Sequence, residues 1–301
     1  MASFKLIYDK DREEVIEGIK ELKNYFKEKK VEIGISESIK NNTHFINIYC
    51  DNKNLNKKNV NMFNMYISNI LYKILINEFF DKYINDFIND TYFFLSDDEI
   101  NDIKYKSINI LINHIPIIDE DNIYYTNRKN EMLKKITECI DENDEINIQG
   151  FMTFRMKEFK KELESIIDKV VENYMIEKEY NEFIKLLKYF VDIQESKMEE
   201  INIVIDRSGE YKVLNEYGED IIDKLFSEFD ESKNKVTGDI NKDDILISAL
   251  ITYCPEKIVI HCWDNCSNKE MINTIKNVFL QRVILCDNCK ICKSIKQKVK
   301  K

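Results

Sequence analysis

The residues best equipped for chemistry are cysteines gathered near the end of the chain. Six of the eight cysteines follow residue 250, namely Cys254, Cys262, Cys266, Cys286, Cys289 and Cys292. The last three are separated by two residues each, a spacing that lets several thiolates converge on one metal ion or cluster. The cysteine run that binds iron–sulfur clusters in bacterial ferredoxins opens in the same way, but its continuation is absent after Cys292. A fourth ligand must therefore come from elsewhere in the chain.

The elements around these cysteines predict how the thiols could meet. The apolar run 258–261 predicts a buried strand, and residues 282–285 predict a second one. Between them, Ser267 and Glu270 predict the capped start of a helix. Strand, helix and strand at this spacing predict a βαβ unit, whose parallel strands end at the same edge of the sheet.

Five thiols are therefore expected to gather at this edge. The residues that follow the two strands are His261, Cys262 and Cys266 for the first and Cys286, Cys289 and Cys292 for the second. Four thiolates would satisfy tetrahedral zinc, and the first choice is the set Cys262, Cys266, Cys286 and Cys289. Three or four could instead hold an iron–sulfur cluster. The alternative is that these buried thiols lie close together without binding metal. The other two cysteines, Cys50 and Cys139, are expected to be small core residues.

No recognisable catalytic constellation accompanies the cysteines. The sequence contains no glycine-rich phosphate loop, no HExxH motif and no GxSxG motif. It has three histidines, of which His44 is expected at a strand start and His114 near a helix end. The sequence thus predicts a non-catalytic interaction protein with an unidentified protein partner. The alternative is a metal-binding or redox-sensing protein that uses the C-terminal cysteines.

The charge of the chain argues against nucleic acid as a partner. Forty-five basic and 55 acidic residues give a net charge of -10 over 301 residues. So acidic a protein gains little from the release of counterions on DNA or RNA. The exception is local, because residues 293–301 form a basic tail that could contact an acidic partner.

Hydropathy predicts a cytoplasmic chain without a membrane span. The N-terminus lacks the charged, apolar and small-residue regions of a signal peptide. The most apolar stretch, residues 62–88, is interrupted by polar and charged residues that would be costly in a bilayer. In this compartment the cysteines should be free thiols or metal ligands rather than disulfides.

The periodicity of apolar residues predicts a mixed, helix-rich α+β fold. We expect a small α/β layer over residues 1–55 and a mainly helical region over residues 56–198. An α/β region that contains the βαβ unit is expected over residues 199–292. The basic tail, residues 293–301, follows. Within the helical region, Ser96 and Glu99 predict a capping box at a helix start. The acidic stretch 117–127 predicts a loop.

Two further elements are expected on either side of residue 198. Apolar stripes between Phe151 and Val191 predict two amphipathic helices, packed as a hairpin or joined as one bent helix. Residues 206–209, DRSG, predict the turn of a β-hairpin.

Three segments of the chain carry a family resemblance. The segment GFMTFRMKEFKKELESIIDKVVENYMIEKEYNEFIKLLKYFVDIQ at 150–194 resembles the YtxC-like family of sporulation proteins. The segments DDILISALITYCPEKIVIH and NTIKNVFLQRVILCDNCKIC are similar to the same family, so that the resemblance covers roughly residues 90–292. It implies a cytoplasmic protein of endospore-forming bacteria that is linked to sporulation. It carries over no reaction and no catalytic residue.

Overall fold

The fold is a helix-rich α+β arrangement, as the periodicity predicts. A computed structural model describes residues 2–9, 12–50, 56–113, 119–224 and 242–297. About 66% of the structure is helical, and the strands form two small mixed sheets. The chain divides into two compact units, Met1–Met175 and Ile176–Lys301.

The first unit combines one sheet with the helices that follow it. Its strands are β1 (Ala2–Asp9), β2 (Ile33–Lys40), β3 (Thr43–Cys50) and β4 (Glu145–Asn147). Its helices are α1 (Glu13–Glu28), α2 (Lys57–Lys82), α3 (Ile84–Thr91), α4 (Asp97–Ile112), α5 (Glu120–Asp141) and the first part of α6 (Ile148–Ile193). The strand order is β2-β3-β1-β4, in which β4 alone pairs in parallel.

The β2–β3 hairpin turns at two asparagines. Asn41 and Asn42 both have positive φ angles, of 50° and 67°. Asparagine enters this left-handed region more readily than most residues, and two successive positive angles are typical of the tight turn between twisted strands. The NNT sequence thus explains why β2 and β3 pair in register.

Local signals account for two helix starts, one predicted and one missed. The expected capping box is confirmed, since the Ser96 backbone N–H donates to the Glu99 carboxylate at 2.8 Å. The expected loop at 117–127 is wrong from residue 120 onwards, because α5 begins there. The Asp119 side chain accepts a hydrogen bond from the Asn122 N–H at 2.8 Å. The acidic residues lie in the first helical turn, where the helix dipole favours negative charge.

Helix α6 is one continuous helix of 46 residues, so the hairpin alternative is wrong. The boundary between the two units falls within it. Its first part is buried through residues such as Phe159 and Ile166, and its second part through Ile184 and Val191. Several residues of the predicted apolar stripes are nevertheless exposed, namely Phe154, Tyr180, Phe183 and Phe190.

The second unit contains the predicted hairpin and the predicted βαβ unit. Its elements are β5 (Glu200–Ile205), β6 (Tyr211–Asn215), α7 (Lys242–Tyr253), β7 (Lys257–His261), α8 (Lys269–Phe279), β8 (Val283–Cys286) and α9 (Lys290–Gln297), together with the end of α6. The strand order is β6-β5-β7-β8; β5 and β6 are antiparallel, whereas β7 runs parallel to both β5 and β8. The cap of α8 is Asn268 rather than Ser267, since its side chain accepts from the N–H groups of Glu270 and Met271.

Some predicted features lie outside the described residues. These are His114 and the last four residues of the basic tail, 298–301. Residues 293–297 of that tail belong to α9. None of the helices in the described ranges combines the length and apolar character needed to cross a bilayer.

A close approach of α1 and α2 generates a stability prediction. A Cβ atom added at Gly18 would lie 2.2 Å from Cγ1 of Ile70, a fully buried side chain on α2. Gly18→Ala should therefore lower the free energy of unfolding by about 2 kcal/mol, because overpacking outweighs the roughly 1 kcal/mol gain in helix propensity. Urea unfolding followed by circular dichroism measures the change.

The matched control is Gly150→Ala on α6. A Cβ atom there meets nothing closer than the Asn147 side chain at 3.7 Å. This change should leave stability equal or raise it by up to about 1 kcal/mol. Equal stability of the two variants would contradict the close packing of α1 on α2.

Candidate metal centre

The parallel pairing of β7 with β8 places a histidine beside a cysteine. In this register His261 is the partner of Cys286, and each is the last residue of its strand. Partners in neighbouring strands point to the same face of a sheet. The His261 ring is buried, with 5% exposure, and Cys286 is half-buried.

Two further thiols reach this point from the start of α9. Cys289 precedes the first helical residue, Lys290, and Cys292 lies within the first turn. The three-residue separation places both side chains on the same side of the helix start. The Cys292 backbone N–H lies 3.5 Å from the Cys289 sulfur, and the Cys292 thiol donates to the Cys286 carbonyl at 3.4 Å. The turn after β8 thus returns two thiols to the end of the strand.

Four potential ligand atoms converge at this site. The His261 nitrogen and the sulfurs of Cys286, Cys289 and Cys292 all lie within 4.8 Å of one another. His261 Nδ1 lies 3.3 Å from the Cys289 sulfur and 3.7 Å from the Cys292 sulfur. The Cys292 sulfur lies 3.6 Å from that of Cys289 and 3.9 Å from that of Cys286.

These separations match the requirements of a single tetrahedral ion. Zn–S bonds of about 2.3 Å and Zn–N bonds of about 2.0–2.1 Å set neighbouring ligand atoms roughly 3.5–3.8 Å apart. Four of the six pairs of ligand atoms lie 3.3 to 3.9 Å apart, and the other two lie within 4.8 Å. The cluster can therefore hold a metal ion without any large rearrangement of the backbone.

A chain of polar contacts holds the imidazole from its other side. His261 Nε2 lies 3.0 Å from the Asn202 side-chain oxygen on β5, so the ring donates its proton there. The Asn202 amide donates to Glu200 at 3.0 Å, and Glu200 forms an ion pair with Lys257 at 2.6 Å. With Nε2 protonated, Nδ1 keeps its lone pair toward the sulfurs. Such outer partners typically orient metal-binding histidines.

The electrostatics of the site favour a neutral imidazole. Burial lowers the pKa of His261, although the Glu200 carboxylate acts in the opposite direction. The neutral ring is the form that binds metals. Burial raises the pKa of Cys292 to about 12, and the hydrogen bond with Cys289 adds to this. For Cys289, burial also acts to raise the pKa, but hydrogen bonds from the Cys292 N–H and from neighbouring thiols outweigh it and lower the value.

The structure separates the sequence-predicted cysteines into two sets. Cys286, Cys289 and Cys292 belong to the cluster, whereas Cys262 and Cys266 are outside the group of converging atoms. Cys262 adopts a positive φ of 54°, and its backbone N–H donates to the Cys286 carbonyl at 2.9 Å. The Cys266 thiol donates to the Asn268 carbonyl at 3.2 Å, at the start of α8. Both thiols are buried.

His261 is a potential ligand that was not among the residues predicted from the sequence to bind metal. The prediction placed this residue at the correct edge of the sheet but counted only thiols as ligands. The available signal was positional, since His261 ends the first strand of the βαβ unit as Cys286 ends the second. The remaining described histidine, His44, is held by the Glu37 carboxylate at 2.8 Å and stacks on Tyr8. It has the structural position expected for it.

Comparison with known proteins identifies the family of the chain. The model of the YtxC-like family matches residues 65–284, which is well over half of the sequence. The chain belongs to the YtxC-like family. The resemblance noted in the sequence is thereby confirmed. The matched range of this YtxC-like chain includes His261, and the three clustered cysteines follow it.

One curated relative and the solved structures complete the comparison. The chain is 25% identical over 222 residues to the "Uncharacterized protein YtxC" of Bacillus subtilis (strain 168). The alignment covers 72% of this YtxC-like chain and 75% of that protein. No solved structure matches the chain.

The contact between Asn202 and His261 generates a prediction for metal affinity. Asn202→Ala removes the acceptor that orients the imidazole and leaves all four potential ligands in place. Affinity for Zn²⁺ should fall by about 10–100-fold, the usual effect of losing an outer partner of a histidine ligand. Competition with a chromophoric chelator measures this change.

A matched control is Asn143→Ala in the first unit, where the side chain donates to the Cys139 carbonyl at the surface. This variant should retain wild-type affinity. An Asn202→Ala protein that binds Zn²⁺ as tightly as the control would contradict the orienting role of Asn202.

Proposed function

We propose that this YtxC-like protein binds one zinc ion through His261, Cys286, Cys289 and Cys292 and acts as a non-catalytic interaction protein. The observation that carries the proposal is the convergence of one imidazole nitrogen and three thiols within 4.8 Å. Imidazole and thiolate are the ligands of structural zinc, and Cys₃His is one of its established sets.

The contacts favour a single ion over an iron–sulfur cluster. In a four-iron cluster each cysteine binds a different iron atom, so the sulfurs lie farther apart than sulfurs that share one ion. Here the Cys292 sulfur lies 3.6 and 3.9 Å from its two neighbours. The histidine fits zinc as well, because cluster ligands are most commonly four cysteines. Zinc is therefore the proposed metal.

The number of ligands favours a structural role for this ion. Zinc is four-coordinate in structural sites, whereas catalytic sites keep one position open for water or substrate. Four protein ligands close the coordination shell. The ion would link the end of β7, the end of β8 and the start of α9. Structural zinc contributes roughly 10–16 kcal/mol of binding free energy in small zinc-dependent peptides, which is comparable with the stability of a whole domain.

We place this protein in the cytoplasm of sporulating cells, with another protein as its partner. The support is the resemblance of residues 150–194 to the sporulation-linked family. The net charge of -10 disfavours nucleic acid as the alternative partner.

Metal analysis tests the zinc proposal. Protein purified without oxygen should contain about one zinc per chain, and Cys289→Ser or Cys292→Ser should lose most of it, since a hydroxyl replaces a thiolate ligand. Two matched cysteine controls, Cys266→Ser and Cys139→Ser, should retain the metal. Elemental analysis of each variant gives the result.

Three outcomes would contradict this assignment. Wild-type protein without zinc would refute the zinc proposal. Protein that contains iron and acid-labile sulfide would show an iron–sulfur cluster at the site instead of zinc. Loss of zinc from Cys266→Ser would favour the four-cysteine set Cys262, Cys266, Cys286 and Cys289.

Gene deletion tests the proposed role of the protein in sporulation. Cells that lack the gene should form fewer heat-resistant spores, and the wild-type gene should restore the number. A gene that encodes Cys289→Ser should restore it less well than one that encodes Cys266→Ser, because only the former loses a zinc ligand. Heat-resistant spore counts provide the measurement. Unchanged spore yield and properties after deletion would refute the sporulation role.

A further inference from the structure

The second part of α6 carries an apolar stripe that the metal site does not use. Between residues 176 and 193 one side of the helix exposes seven large apolar side chains. We call this set the α6 stripe: Ile176, Tyr180, Phe183, Leu186, Tyr189, Phe190 and Ile193. The exposed fraction of these side chains ranges from 39% at Tyr180 to 60% at Ile176, Tyr189 and Ile193.

The spacing of the stripe is that of a coiled-coil seam. Ile176, Phe183 and Phe190 recur every seven residues, and Leu186 and Ile193 each follow three residues after a phenylalanine. These are the a and d positions of a heptad repeat, which remain on one side of a helix when two helices wind around each other. Position d of the first heptad is Glu179, which is exposed.

We propose that the α6 stripe is the interface of a homodimer in which the α6 helices of two copies pair antiparallel. The self-complementarity of the stripe identifies a second copy as the occupant. A two-fold axis midway between Ile184 and Lys185 pairs four of the five apolar a and d residues with one another. It sets Ile176 opposite Ile193 and Phe183 opposite Leu186.

Charge selects the antiparallel direction. Parallel pairing would place the Glu179 carboxylates of the two copies against each other in the seam, and like charges in such a position are destabilising. Antiparallel pairing moves each Glu179 to an end of the seam, opposite Phe190, where its carboxylate keeps access to water. The remaining d positions are apolar.

The exposed area lies in the lower part of the range that a stable dimer buries. At roughly 200 Å² for each large apolar side chain and about half of it exposed, the seven residues offer on the order of 600–700 Å² per copy. A standard stable interface buries roughly 600–1,000 Å² per partner. Apolar patches on monomers rarely exceed about 300–600 Å². The exposed apolar area of the α6 stripe is therefore as large as the largest patches on monomers, and patches of this size usually form interfaces.

The helix is also preorganised for pairing. Its opposite side is anchored through Ile184 and Val191, which are buried in the core of the second unit. Tyr180 is fixed by a hydrogen-bond contact of 3.1 Å with Thr274 on α8. Pairing thus requires little ordering of the backbone, which lowers the entropic cost of association.

Sedimentation equilibrium of the zinc-loaded 301-residue chain tests the dimer. The wild type at tens of micromolar should have twice the 36.0 kDa mass of one chain. Phe183→Glu should raise the dissociation constant by about 100-fold or more, because two carboxylates enter the centre of the seam. The matched control is Phe154→Glu, an exposed phenylalanine in the first part of the same helix, which should remain dimeric. Unchanged circular dichroism and zinc content in both variants exclude unfolding as the cause and keep this test separate from that of the metal site.

Cysteine cross-linking tests the direction of pairing. The double variant Ile176→Cys, Ile193→Cys should form a disulfide-linked dimer under mild oxidation, whereas either single variant and the wild type should not. A cross-link through Ile176→Cys alone would show parallel pairing and overturn the proposal. A monomeric wild type, or a dimer that Phe183→Glu leaves intact, would overturn it as well, because in neither case would the stripe be the interface between two copies.

Discussion

The second unit depends on the parallel pairing of β7 with β8. This pairing sets His261 and Cys286 side by side at the ends of two strands that are neighbours in space but some 20 residues apart in sequence. Parallel strands require a crossover connection, and α8 provides it. A shift of one residue in register would turn one of the two side chains to the other face of the sheet. The potential metal ligands therefore exist as a group only because this register is kept.

The opposite ends of the same strands are tied by a different network. Arg282, which precedes β8, donates to the Cys254 sulfur and to the Pro255 carbonyl, both at 3.2 Å. Cys254 in turn donates to the Val191 carbonyl near the end of α6, at 3.3 Å. Cys254 is thus a buried structural thiol, and its positive φ of 47° closes the turn between α7 and β7. The region before β7 and β8 is thus hydrogen-bonded to α6, whereas the ends of both strands lie beside the cysteines at the start of α9.

The class and order of the elements could be predicted from sequence, because periodicity is local. The alternation at β5 and β6, the βαβ unit and the Ser96 capping box each depend on residues within a short window. The failures have equally local causes. The acidic stretch 117–127 predicts a loop, but Asp119 and the acidic residues that follow it form the start of α5. The stripes of α6 left a hairpin and one bent helix as alternatives, because spacing shows that residues share a face and does not show what covers that face.

The sequence likewise could not show which of the candidate residues converge at the potential metal site. Sequence reasoning placed six candidate residues at one sheet edge, and the choice among them needed the direction of each side chain. Cys262 lies directly after His261, but its left-handed backbone and its N–H contact with the Cys286 carbonyl give the residue a role in the turn. Cys266 is drawn to the start of α8 by its hydrogen bond with Asn268.

The proposed set of four protein ligands would also constrain what this protein can do. Zinc in such a site would have no position for water or substrate, so it would act as a cross-link. The polar chain from His261 through Asn202 and Glu200 to Lys257 joins the ligand to β5, beyond the two strands that end at the site. A metal bound there would therefore hold three neighbouring strands and α9 as one body. The exposed side of α6 is one surface available for recognition in this unit, and the residues that anchor α6 pack into the core of the same unit.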